Sequence, residues 1–208
     1  MGTGMSKILE GLYVGNVRDS NSREQLQKNG ITHVISIHDL VNQKKFSHIK
    51  YLNLVARDNE AQDLMHFFNE TNEFIHEARA SNGKVLVHCI MGVSRSVSLC
   101  VAYCMSVTNL GWRDCLNAIR QARKIAQPNY GFQKQLAIFQ AERLQEARSK
   151  LKENYPNFSP NDEDTLQKLL EAHHKWVLTG EEDKNYPLEH DAYKEQLKSD
   201  GKNEIDKR

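Results

Sequence analysis

Long apolar runs are missing from this chain. The longest, around residues 97–107, is short and interrupted by Ser98 and Ser106, so no segment is fit to span a bilayer. The first ten residues hold no apolar stretch of the kind a secretory signal peptide needs. Cysteine is scarce: four thiols in 208 residues, without framework spacing, fit a reducing compartment rather than a disulfide scaffold. Neither sign of charge prevails. Lys and Arg number 28 against 27 Asp and Glu, and a formal net charge of +1 argues against nucleic acid as a partner. No internal repeat or low-complexity tract is visible, and the length suits one catalytic domain plus an extension.

What is present is concentrated in residues 84–96. Residues 84–87 have strand character and run into His88 and Cys89; Gly92 sits mid-loop, and Arg95 and Ser96 open an apolar helix over residues 96–107. Cysteine, five residues, arginine is the spacing of a loop that wraps a tetrahedral dianion. The backbone N–H groups of Ile90, Met91, Gly92, Val93 and Ser94 are expected to turn inward. The helix start adds partial positive charge, and Arg95 offers a planar two-pronged donor. The same field lowers the pKa of Cys89 and makes it a nucleophile. No other cysteine has an arginine at that offset: six residues after Cys100, Cys104 and Cys115 stand Ser106, Leu110 and Gln121.

These residues dictate a mechanism for a phosphate ester. Cys89 attacks and forms a phosphocysteine, while Arg95 and the loop amides stabilise the equatorial oxygens. Ser96 is placed to hydrogen-bond the sulfur and ease its departure when water attacks. His88, facing away from its neighbour on a strand, is expected to brace the loop rather than act as a base. The leaving oxygen needs a proton from a mobile loop at the carboxyl end of a neighbouring strand. Asp58, just past a strand over residues 51–55, is the candidate acid; Asp39 is a rival, and Asp63 reads as a helix cap.

The His88-Cys89 to Arg95-Ser96 stretch, with Gly92 and Ser94 between, resembles the signature of the protein tyrosine phosphatase superfamily. Its ending and the chain's small size resemble the atypical dual-specificity branch, closest to the myristoylated, JNK-stimulatory group, over residues 7–152. Asp58 matches that family's general acid. Pro128, Asn129, Gly131 and Phe132 match a turn whose asparagine supports the phosphate loop. Arg123 matches a position that meets a second substrate phosphate. Met91 departs from the pattern, since many members carry alanine or glutamate before the loop glycine, and it is expected at the pocket lip.

The resemblance implies hydrolysis of phosphotyrosine and of phosphoserine or phosphothreonine in proteins, a shallow pocket, a role in MAP-kinase (JNK) signalling, a monomer, and no cofactor or metal. Alternatives from the residues are a phosphoinositide phosphatase, which would want bases in loop positions 90–94 that are absent; a sulfurtransferase, which needs neither Asp58 nor Ser96; and a catalytically weak phosphoprotein-binding module.

The remaining chain fills in an α/β fold: a single domain with a central, mostly parallel but mixed sheet of about five strands flanked by helices. A hairpin is expected over residues 8–15 and a capped helix over 22–29. Strands follow over 32–37 and 51–55, and helices over 64–80, 96–107, 112–124 and 131–152. Gly2 with Ser6 fits the N-myristoylation pattern, so residues 1–6 read as a lipidation segment giving reversible attachment. That implies a cytoplasmic protein, peripheral on the cytoplasmic face of the plasma membrane, with the nucleus also open to it. Residues 153–208, with Pro156, Pro160, Pro187 and acidic clusters, read as a largely mobile tail holding one amphipathic segment, 165–178, able to dock on the domain or on a partner. The adjacent His173 and His174 point to different helix faces and are not read as metal ligands. Cys100 and Cys104 read as buried core thiols rather than as traps for an oxidised Cys89.

Overall fold

The computed structural model describes residues 4–39, 44–183 and 185, so Gly2 and residues 186–208 lie outside it. The hairpin forms as expected: β1 (Ser6–Leu9) pairs antiparallel with β2 (Leu12–Gly15). Two short helices follow, α1 (Val17–Asn21) and α2 (Arg23–Asn29), the second capped by Ser22, whose hydroxyl accepts from Gln25 N. Next come β3 (His33–Ile37), β4 (Lys50–Leu54), a 3-10 turn (Met65–Phe67), α3 (Phe68–Ala80) and β5 (Val85–His88). The last stretch is helical: α4 (Arg95–Val107), α5 (Trp112–Ala122), α6 (Tyr130–Glu142), α7 (Leu144–Asn154) and α8 (Asp162–Thr179).

Among the described residues the strands form one sheet in the order β1-β2-β5-β3-β4, with every pair but β1–β2 parallel. Alternation along the strands sorts two cores. Leu12, Val14, Ile35, Ile37, Val85 and Val87 face the larger one under the long helices. Tyr13, Val34 and Leu86 face a smaller one with Leu26, Ile31 and Ile49. All of α4 except Val107 is buried, which explains a helix apolar on every side. The centre strand β5 is flanked by β2 on one side and β3 on the other, so its carboxyl end opens where the strand order reverses.

Two expectations change. The helix over 131–152 is two helices, broken at Arg143 (φ −128°). The buried stripe Phe132, Leu136, Phe139 would continue at 143, an arginine, whereas the next buried set is Leu144, Ala147 and Leu151. The break shifts the stripe by one residue. The second change concerns the tail, whose first part is folded onto the domain. Helix α8 packs on α5 and β1, with Leu166, Leu169 and Leu170 in the main core. His173 is buried and His174 exposed, on different faces.

The acidic cluster that looked solvated supplies the reason. Asp162, 3 % exposed, takes two hydrogen bonds from Arg79, from Nη1 at 2.8 Å and from Nη2 at 2.7 Å. Arg79 Nε donates to the Glu10 carbonyl, and Nη1 also reaches the Tyr103 hydroxyl, so α3, α4, the β1–β2 turn and α8 meet at one guanidinium. Replacing Asp162 with alanine strands that charge. We expect a loss of about 3–5 kcal/mol in urea unfolding; a loss below about 1 kcal/mol would mean that water reaches Arg79.

Candidate active site

Strand β5 delivers Cys89 to the sheet's open end, and the next residues cannot continue straight. Their carbonyls are fixed from outside. His88 Nδ1 lies 3.2 Å from the Cys89 carbonyl, and since a carbonyl only accepts, the proton is on Nδ1. Val17 N donates to Ile90 O at 3.2 Å, and Gln127 N to Val93 O at 2.8 Å. Arg123 donates to Gly92 O from Nε at 2.6 Å and to Met91 O from Nη2 at 3.4 Å. Ser98 closes the set on Ser94 O with its backbone and side chain, each at 2.9 Å. With carbonyls held outward, planar peptides turn the N–H groups inward. Gly92 makes this path possible: its φ is +68°, and a Cβ there would press into the Gly15 carbonyl.

Inside the loop the Cys89 sulfur accepts from Gly92 N–H at 3.1 Å and from the Ser96 hydroxyl at 3.3 Å. Burial alone would push this thiol up. Hydrogen bonds from Ser96 and from the Gly92 and Val93 amides outweigh burial and hold it below the ordinary thiol value. Nothing comparable helps the other cysteines: burial pushes Cys115 up to about 12 and raises Cys100 and Cys104 further. Burial likewise lowers His88 to about 4, so it is neutral and suited to bracing.

Arg95 is buried and anchored by Nη1 on the Ala56 carbonyl at 2.9 Å. Its buried Nε has no hydrogen-bond partner. A donor left over beside a ring of inward amides is what a phosphate oxygen would fill. Asp58 crosses over from the loop after β4. That strand is separated from β5 by β3, so the loop belongs to the next-but-one strand rather than the immediate neighbour. The Asp58 carboxylate accepts from Ser94 Oγ at 2.7 Å and Asn129 Nδ2 at 2.9 Å, and lies 3.5 Å from Arg95 Nε. Asp39 also comes within 3.5 Å of Arg95, at Nη1, but among the described residues no hydroxyl or side-chain amide holds it.

Asn129 meets the loop through its backbone, whose N–H donates to Ser94 Oγ at 3.2 Å, while its side chain works elsewhere. Its Oδ1 caps α6 by accepting from Phe132 N, and its Nδ2 steadies Asp58. Gly131 lets the helix start press against Glu60, with no room for a side chain. The Asp58 loop is tied down rather than loose. Gln62 Oε1 accepts from Arg57 N, and Asn59 Oδ1 from Ala61 N and Gln62 N. Gln135 bonds the Gln62 carbonyl and takes the N–H groups of Leu64 and Met65. Asp63 caps only the 3-10 turn, accepting from His66 N at 3.3 Å. Nothing local marks Gln135 for this task; its partners lie some 70 positions away.

The dual specificity phosphatase catalytic-domain model matches residues 12–142, more than half of the chain. The chain belongs to the dual-specificity phosphatases. It is 47 % identical over 173 residues to dual specificity protein phosphatase 22 of Xenopus tropicalis, covering 83 % of this chain and 82 % of that one. The human protein of that name is 44 % identical over 172 residues, covering 83 % and 93 %. Among solved structures, the crystal structure of DUSP15 superposes with a TM-score of 0.72 at 44 % identity, covering 74 % of this chain and 98 % of that one. The human tyrosine phosphatase-like serine/threonine/tyrosine-interacting protein follows with 0.63 at 34 %, covering 66 % and 96 %.

One expected site residue of this phosphatase moves. Arg123 does not face a second substrate phosphate: it is 1 % exposed and lies behind the loop, donating to Gly92 O and Met91 O on one side and to Gly4 O and Ser6 Oγ on the other. Helical position alone gave no sign that its face was covered. Met91 is 67 % exposed. A depressed thiol pKa means that thiolate persists as pH falls below the ordinary titration range. Iodoacetamide at about pH 6.5 should therefore alkylate Cys89 and leave Cys100, Cys104 and Cys115 untouched; equal labelling of all four by peptide mass analysis would contradict the geometry.

Proposed function

We propose that Cys89 is the nucleophile of a two-step phosphoryl transfer. Its thiolate forms the S–P bond as the ester P–O bond breaks, and Asp58 gives its proton to the departing oxygen. Water then attacks the phosphocysteine, Asp58 takes a proton back, the S–P bond breaks, and thiolate and phosphate are released. Arg95 and the inward amides hold the equatorial oxygens, Ser96 stabilises the leaving sulfur, and His88 and Asn129 support the loop. The observation that carries this is the sulfur accepting from Gly92 N–H and Ser96 Oγ inside the loop, with Asp58 held across Arg95.

The substrates are phosphorylated proteins. Absence of bases at loop positions 90–94, with Arg123 turned behind the loop, speaks against phosphoinositides as preferred substrates. For a merely binding module, a sulfur held ready as thiolate and a tethered acid would have no use. We extend the reading to MAP-kinase signalling of the JNK type, supported by the resemblance described above, and to a monomer that exchanges between cytosol and the cytoplasmic face of the plasma membrane. That attachment rests on the Gly2 and Ser6 pattern and on the weak hold of a single myristoyl chain.

Turnover of p-nitrophenyl phosphate should vanish in Cys89→Ser. On a phosphotyrosine peptide, whose leaving group needs a proton, Asp58→Ala should lower kcat by about 100-fold or more. The rate requires thiolate, and the lowered Cys89 pKa keeps thiolate available on the acid side of the ordinary thiol range. A kcat within a few-fold of wild type would remove Asp58 from the role. Protein purified from eukaryotic cells should carry myristate on Gly2 by mass spectrometry; an unmodified Gly2 ends the membrane reading.

A further inference from the structure

We infer that the N-terminal segment is part of the positioning machinery of the catalytic loop, acting through Arg123. The guanidinium is a buried bridge between two parts of the chain that share no other role. One side holds the loop: Nε donates to Gly92 O at 2.6 Å and Nη2 to Met91 O at 3.4 Å. The other side holds the chain start: Nη1 donates to Gly4 O and to Ser6 Oγ, both at 3.2 Å. The two loop carbonyls are those beside the left-handed Gly92, where the backbone makes its sharpest turn and where Gly92 N–H meets the sulfur. A rigid planar fork cannot follow one side without moving the other.

Its surroundings leave little room for a different arrangement. Arg123 follows α5 directly, and α8 and β1 both pack on α5. The neighbouring Lys124 ammonium lies 4.5 Å from the Trp176 ring centre, so α8 seals this corner. On the α1 side stands buried Asp19, held in the capping box with Asn16 and close enough to feel the charge of Arg123. Position, rather than charge at the reacting atoms, is what the bridge contributes: these four hydrogen bonds go to three backbone carbonyls and a serine hydroxyl. Small displacements of a catalytic group suffice for large losses of rate.

Ser6→Val removes one acceptor and keeps the strand; Ser6→Thr keeps the hydroxyl. Arg123→Lys keeps the charge and loses the fork. In the full chain, Ser6→Val should lower kcat on a phosphotyrosine peptide by about 3-fold and Arg123→Lys by about 10-fold or more, with KM little changed. Both should move the midpoint of Cys89 alkylation by iodoacetamide toward higher pH, as the loop amides lose their aim, and Ser6→Thr should restore it. A structural role alone would lower the melting temperature without moving that midpoint. A wild-type midpoint and kcat in Ser6→Val overturn the inference, even if Arg123→Lys proves unable to fold. The alkylation readout needs no turnover: were the wild-type protein inert toward phosphate esters while the midpoint still shifted, the phosphatase mechanism would fall and the bridge would stand.

Discussion

A peptide plane has two ends, and in residues 89–94 the carbonyl end is fixed first. The Cys89 carbonyl is held by His88 beside it, and the others by Val17 after β2, Arg123 after α5, Gln127 before α6 and Ser98 in α4. Only because those groups pull outward do the amides converge. The sheet order matters for the same reason. With β2 beside β5, the chain leaving β2 passes next to the loop, and Val17 is within reach of Ile90.

Convergence settles the sulfur's chemistry. A buried thiol ordinarily resists ionising, as Cys104 does two turns or so along α4. Cys89 is just as buried, yet its neighbours donate rather than crowd, so the balance reverses. Beside that sulfur, buried Arg95 Nε has no hydrogen-bond partner, with Asp58 the nearest charge at 3.5 Å. The site is therefore built for an oxyanion and is least comfortable without one.

Much of this was legible in the sequence, and the limits are instructive. Cys89 and Arg95 lie in one short loop, so their relation is local and spacing suffices. Asp58 was legible as a strand-end carboxylate, but its tether to Ser94 and Asn129 joins positions 36 and 71 residues apart. Arg123 was misjudged because matching a motif gives a residue's place in the chain, not what covers its side chain. Asp162 was misjudged for a related reason: an acidic cluster looks solvated until a buried arginine is found opposite it. Arg143 interrupts a helix because apolar stripes must stay in register with the core, a constraint invisible without the partner surface.

The Trp176 ring over Lys124 and the Gly4 carbonyl on Arg123 sit on consecutive residues. Gly4 and helix α8 therefore meet at one corner behind the catalytic loop. A disturbance in the packing of either segment thus reaches the turn at Gly92 through one short connector between α5 and α6.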